Sequence, residues 1–401
     1  DSIDRKKLKK IFETKKFDMI FTTNHGGINS YIRKLSRGVP IISWLVDRNP
    51  FNHDGRLNRG GFDKADHVIT SSTANVSSLV EKYSLQRCNV HYMPFMTNPK
   101  SFNHTKIKDI DISFVGSYFL NEKIFEKLIT CAMGTKYLQP LLSVVSKLEQ
   151  DFDLNERNLI KDYGLQWYLL SSRVTQRQFK GVVGNVLSNA KRLELLDAIS
   201  DLGLQLYGTK NWAETVLKTP RISACFKSNV FVGSRERLAD IYDRSKIGLN
   251  INHQQATTGV GYRVFDILAS SAMLVSNYQK NPDLNILFGD NHPIPIYKNK
   301  NELREICQYF LEHDHERTQV VSKCQKLIGE RHTFSRRALE IIHIVNPQHK
   351  VKANGPLEFY EKSELWKTEK IREIFSVSNK KNELTSLYGN FKSYWYRKNK
   401  Q

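Results

Sequence analysis

Short apolar runs alternate with helix-like stretches along most of the chain, and this alternation limits the fold more than any other feature. Phe17 to Thr22 (FDMIFT), Val39 to Val46 (VPIISWLV) and Ala65 to Ser71 read as buried strands, with a further one near His91 to Met93. Helical patterns occupy Lys6 to Thr14, Ser30 to Ser36 and Asn75 to Tyr83. Strands separated by a helix cannot pair as hairpins, so each connection must cross over the sheet, which is then parallel and covered by helices. The rhythm begins again at Ile110 to Val115 (IDISFV), closed by Gly116-Ser117, and resumes with strands at Leu204 to Tyr207, Val230 to Val232, Ile247 to Ile251 and Ala272 to Ser276. Helices are expected at Arg192 to Leu202, Arg235 to Ser245, Tyr262 to Ser271, Glu302 to His313 and Thr318 to His332. From Asn121 to Lys191 strand signals are few and the pattern is helical, which reads as an insertion. The fold class expected is α/β, with two doubly wound Rossmann-like domains facing a cleft and a helical insertion in the second.

A polar linker, Thr97 to Lys108, holds Asn98, Pro99 and Asn103 and marks the boundary. The expected domains are residues 1–105, residues 106–345 with the insertion at about 121–191, and a basic, aromatic tail over 346–401. That tail carries Trp366, Tyr388, Tyr394, Trp395 and Tyr396 and is expected to pack back on the first domain, an anionic bilayer being the alternative surface. Because the first domain opens with a charged helix, it is expected to lack its first strand. With 401 residues, 40% hydrophobic and 25% charged, the chain is rich enough to fold as two packed domains. No apolar run approaches the roughly 20 residues of a spanning helix, and Asp1 to Lys10 lacks the core of a secretory signal, so a cytoplasmic protein is expected. Five scattered cysteines without a C-x-x-C pair fit a reducing compartment and no structural zinc. The net charge of +20 admits a nucleic acid, an anionic membrane surface or a phosphorylated small molecule as partner.

In an open parallel sheet the ligand lies beyond the carboxyl ends of the strands. The residues there are Gly116 and Ser117, Tyr207 and Gly208, Gly233, Asn252, and the loop His253 to Gly261. Gly116-Ser117 and Gly208-Thr209 read equally well as simple turns. The most informative stretch is T-T-G-V-G-Y-R-V-F-D-I-L-A from Thr257 to Ala269. Gly259 and Gly261 let backbone approach a ligand, and the helix beginning at Tyr262 offers its positive end to an anion. Arg263 adds a permanent forked charge for a diphosphate, and Asp266 supplies a carboxylate for sugar hydroxyls. In the first domain His25, within Asn24-His25-Gly26-Gly27, reads either as an acceptor-side base or as a structural loop histidine. Asp47, at the end of the second strand, is the other candidate base.

The run G-Y-R-V-F-D-I-L-A-S-S-A, from Gly261 to Ala272, resembles the G-x-R-x-F-E-x-x-A-x-G-A signature of group 1 glycosyltransferases, in particular the spore-maturation CgeB-like branch. Ile241 to Asn250 resembles the helix and strand before that signature, and His332 to Arg337 its closing helix. The resemblance implies a GT-B fold, a nucleoside-diphosphate sugar on the second domain, a glycan, lipid-linked or protein acceptor on the first, and no obligatory metal or cofactor. It also implies that Asp266 meets the donor ribose, while Arg263 and the Gly259 to Gly261 loop meet the phosphates. Two positions depart from the pattern. Asp266 replaces a glutamate, and the earlier acid of the family falls on Thr258, which leaves the stereochemical outcome open.

Two other functions are compatible with the residues. One is a nucleotide-sugar-binding protein without catalysis. The other is a nucleic-acid-binding protein, for which the charge and the loop Gly55 to Gly61 are the only signals; a nucleic-acid partner is therefore not expected.

Overall fold

The computed structural model describes residues 5–46, 62–63, 66–83, 89–120, 122–228, 233–279 and 283–345. The expected strand at Val230 to Val232, Asp47, the loop Gly55 to Gly61 and the tail 346–401 lie outside them.

Four parallel strands, β1 (Ile20–Thr23), β2 (Ile41–Leu45), β3 (His67–Thr70) and β4 (Val90–Tyr92), form the first sheet in sequential order. Three helices accompany them: α1 (Arg5–Thr14), α2 (Ser30–Leu35) and α3 (Ala74–Tyr83). Asn29 starts α2 by accepting hydrogen bonds from the Tyr31 and Ile32 amides at 3.0 Å each. Right-handed crossovers between strands in sequential order place the connecting helices on one face. The side chains of β2 divide accordingly. Ile41 packs with Ile28 and Ile32 of the α2 region and Leu45 with Val76 and Leu79 of α3, while Ile42 and Trp44 face the other way.

The second sheet comprises β5 (Ile110–Gly116), β6 (Leu204–Gly208), β7 (Ser245–Asn250), β8 (Met273–Asn277) and β9 (Ile296–Tyr297), in the order β6-β5-β7-β8-β9. All neighbours are parallel. The chain leaves β5 to one side for β6 and returns on the other side for β7, so the strand order reverses around β5. Between β5 and β6 lies the insertion, made of α4 (Glu122–Ala132), α5 (Leu138–Gln150), α6 (Glu156–Asp162), α7 (Gln166–Ser171) and α8 (Gln176–Asp197). It has a core of its own around Leu141, Val144, Leu148, Ile160, Phe179 and Val183. The remaining helices are α9 (Pro220–Cys225), α10 (Arg235–Arg244), α11 (Tyr262–Ala269), α12 (Asp283–Phe288), α13 (Lys300–Glu312), α14 (Asp314–Arg331) and α15 (Phe334–Val345). Among the described residues no helix is long and apolar enough to cross a membrane.

The boundary that matters most here differs from the sequence reading. The helix expected to begin at Arg192 is the C-terminal end of α8, which starts at a Thr175–Gln178 capping box and runs unbroken for 22 residues. No proline interrupts it, so the insertion is welded to the sheet rather than joined by a loop.

The two sheets meet through a shared core. Ile42, Trp44 and Ile69 of the first pack with Val260, Val264 and Phe265 of the second, and Phe95 stacks on Tyr262 with ring centroids 4.0 Å apart. Polar bonds fix the same contact: Ser72 Oγ lies 2.5 Å from Thr258 Oγ1, and the Thr73 amide donates to Asp283 at 3.0 Å. α15 closes the junction, with Arg337 Nε donating to the Pro94 carbonyl at 2.9 Å.

Candidate functional site

A reversal of strand order leaves a crevice at the carboxyl ends of the diverging strands. Here those ends are Gly116 of β5 and Asn250 of β7. Arg263, on the first turn of α11, reaches into that gap. Its Nε donates to the Val115 carbonyl at 2.8 Å and its Nη1 to Asn250 Oδ1 at 3.1 Å, and its guanidinium sits 5.1 Å from the centroid of the Phe114 ring. Asn250 is held in turn, its amide donating to Asn252 Oδ1 and Ser276 Oγ at 2.9 Å each, while the Asn252 amide donates to Asn277 Oδ1 at 2.8 Å. Carboxamides at successive strand ends thus orient one arginine whose hydrogen-bond partners among the described residues are neutral.

The start of α11 lies beside this arginine. Its N-cap is Gly261, which supplies no side chain to cover the first amides. A Cβ built on Gly261 would meet nothing within 4 Å, so the helix end opens onto space. A positive helix end, an open approach and an arginine with no carboxylate ion pair among the described residues are together suited to holding an anion.

Adjoining it is a cavity of about 290 Å³ lined by Asn250, Asn252, Asn277, Gln279, Asn285 and Lys298 among others. Carboxamides give paired donors and acceptors, the complement of vicinal hydroxyls. Chemically, the arrangement suits an anion joined to a neutral, hydroxyl-bearing group.

The other glycines divide by function. Gly208 has φ +152°, and a Cβ there would lie 1.8 Å from the Gly116 carbonyl oxygen, which also accepts from Trp212 Nε1 at 2.9 Å. Gly116 and Gly208 are therefore close-packing positions where β5 and β6 end. Gly259 packs against Ser71 and Ser72 at the end of β3, so its smallness serves the contact between the sheets. Gly233 precedes Ser234, the N-cap of α10, whose hydroxyl accepts from the Arg237 amide at 3.2 Å. Ser117 is half-buried, and its carbonyl accepts a bond from Arg192 Nη1.

Several expected side chains point elsewhere. The Tyr207 ring is buried with Ile110 and Ile241, and its hydroxyl turns to Gln205 at 2.6 Å. Tyr262 is taken up by Phe95. Asp266 is only 5% exposed and accepts from Thr97 Oγ1 at 2.7 Å, with Arg235 Nη2 at 3.5 Å; burial raises its pKa. Its partners come from the segment between the two sheets and from α10. His25 does not face the cleft: it is 0% exposed, with Nδ1 2.6 Å from Ser43 Oγ and its ring against Phe62. Its backbone has a positive φ of 55°, uncommon for a residue other than glycine.

Residues missed at the sequence level lie on α8. His253 Nε2 is 2.9 Å from Asn185 Oδ1, the Gln254 amide donates to Ser188 Oγ at 2.9 Å, and Asn189 brackets Phe119 through Oδ1 (3.0 Å) and Nδ2 (2.8 Å). With Arg192 these form one polar face at i, i+3, i+4 and i+7. Burial, and after it the charge of Arg192, pulls the His253 ring down to about 3, so it is neutral. The signal was present as polar residues at helical spacing, Asn185, Ser188, Asn189 and Arg192.

No curated protein matches the sequence significantly. Among solved structures, a glycosyltransferase from Rickettsia africae is 9% identical at a TM-score of 0.44, covering 87% of this chain and 84% of that one. HepE from Anabaena, in complex with UDP-glucose, is 12% identical at 0.46, covering 86% and 82%. TarM is 9% identical at 0.43; 77% of this chain is covered, and the chain spans about half (51%) of the length of TarM. Residues 191–343, the stretch from the end of α8 to α15 that contains Arg263 and Asn250, match the family model described as glycosyl transferase-like.

Proposed function

We propose that the protein transfers a sugar from a nucleoside-diphosphate sugar to an acceptor, without a metal, as a GT-B glycosyltransferase. The observation that carries this reading is Arg263, held by Val115 and Asn250 without an acidic partner among the described residues, beside the uncovered start of α11. The diphosphate sits there, and the sugar ring occupies the adjoining cavity lined by carboxamides. The match of residues 191–343 to the glycosyl transferase-like model supports it independently.

Departure of the diphosphate builds negative charge on its terminal oxygen. A guanidinium and helix amides already aimed at that position stabilise the charge without reorganising during the reaction. The acceptor, a glycan, lipid-linked glycan or protein, approaches from the first domain, where Asp47, two residues after the end of β2 in sequence, serves as the base. His25 is left to a structural role by its burial.

The test is release of nucleoside diphosphate from a panel of donor sugars. Wild type is expected to turn over at least one donor, and Arg263→Ala to lose about 100-fold or more in kcat/KM. Tight donor binding with no turnover or hydrolysis across acceptors would leave a binding protein instead. Wild-type rates in Arg263→Ala would remove the proposed role of the site.

A further inference from the structure

Arg192 belongs to the insertion side of the molecule yet ends in the same crevice as Arg263. It is 4% exposed, donates Nη1 to the Ser117 carbonyl, and its Nε has no hydrogen-bond partner among the described residues. Its guanidinium carbon lies 4.8 Å from the centroid of Phe119 and 5.9 Å from that of Phe114, the ring that Arg263 also approaches at 5.1 Å. The two cations hold the carbonyls of Val115 and Ser117, and so grip the Gly116 turn from both sides.

Neither arginine makes an ion pair with a carboxylate among the described residues. His253, whose ring feels the charge of Arg192, is neutral and contributes no negative charge. Arg192 is buried and Arg263 half-buried, so the two like charges repel at close quarters, and burial together with Arg263 draws Arg192 down to about 9. An anion with two charged centres removes both costs at once, and a diphosphate has that form.

We infer that Arg192 and Arg263 form a two-cation clamp for a pyrophosphate group, with Arg192 delivered by α8 of the insertion. The inference rests on the transferase reading for its natural ligand, but the clamp itself is specific for linked phosphates whatever they are attached to. It also gives the insertion a task, since the α8 face with Asn185, Ser188 and Asn189 sets the position of Arg192 against the loops after β5 and β7.

The experiment is calorimetric titration of wild type, Arg192→Gln and Arg192→Lys with inorganic pyrophosphate, a nucleoside diphosphate and the corresponding monophosphate. Wild type is expected to bind pyrophosphate and to prefer the diphosphate. Arg192→Gln should lose about tenfold or more in pyrophosphate affinity and most of the preference for diphosphate over monophosphate, with Arg192→Lys between the two. Lysine keeps the buried charge, so that variant still reports if glutamine fails to fold. Unchanged diphosphate preference in both folded variants overturns the clamp while leaving the transferase reading in place. Pyrophosphate binding by wild type that depends on Arg192, with no nucleotide bound, supports the clamp and removes the transferase reading. No binding of pyrophosphate or nucleotide to wild type overturns both.

Discussion

Gly208 and Gly261 both follow or precede a site element, and the same substitution is expected to have opposite effects at the two. An alanine methyl at Gly208 would sit 1.8 Å from the Gly116 carbonyl oxygen at a φ of +152°. The ends of β5 and β6 would have to part by more than about 1 Å to restore contact distance. That movement overpacks the strand ends at about 1–3 kcal/mol, strains the backbone at about 1–3 kcal/mol, and breaks the Trp212 bond to Gly116, leaving a buried indole N–H at about 1–3 kcal/mol. The expected loss is about 5 kcal/mol, a large part of the stability of a typical domain. Gly261 has φ −75° with nothing within 4 Å of a built Cβ, so Gly261→Ala should cost no more than about 1 kcal/mol, the loss expected from a poorer N-cap. Its methyl, however, enters the space in front of α11, and nucleoside-diphosphate affinity should fall. Urea unfolding followed by far-ultraviolet circular dichroism, with calorimetric titration on the same samples, measures both. A Gly208→Ala midpoint equal to wild type, or a Gly261→Ala protein that unfolds early, refutes the division of these glycines into packing and ligand-facing positions.

Asp266→Ala removes the acceptor shared by Thr97 and Arg235 in a buried setting and should cost about 3–5 kcal/mol in thermal or urea denaturation, whereas Asp266→Asn should cost clearly less. His332 Nδ1 accepts from Arg337 Nη2 at 2.7 Å, and burial with that positive neighbour pulls its pKa from 6.5 down to about 4. The unfolded chain takes up this proton first as pH falls, so the contribution is intact above about pH 6.5 and is lost as pH falls through about 4; roughly 2 kcal/mol should be gone by about pH 5. Melting curves across that range test it, and a His332→Asn variant with the same pH slope as wild type would argue against the assignment.

Period carried most of the fold. Residues such as Ile41 to Leu45 and Ile110 to Gly116 are apolar over a strand's length, and amphipathic helices such as α13 repeat every three to four residues. β9, with two residues, and α12, with six, are too short for either period to register. The false break at residue 191 arose because Ser188, Asn189 and Arg192 look like a solvated boundary, whereas they face loops of the site. Arg263 was legible since its place at a helix start follows from the glycines before it. Side-chain direction was not: the positive φ of His25, the turn of Tyr207 toward Gln205 and the capture of Tyr262 by Phe95 depend on contacts far apart in sequence. Nor can a sequence distinguish Gly208, confined by a neighbouring strand, from Gly261, which faces open space.

The central claim is the location of a diphosphate, and a crystal soaked with nucleoside diphosphate addresses it most directly. Density for two phosphates within hydrogen-bond reach of Arg263 and the first amides of α11 is predicted. Nucleotide density elsewhere on the protein, with the crevice between Gly116, Asn250 and Gly261 lacking phosphate, would contradict it.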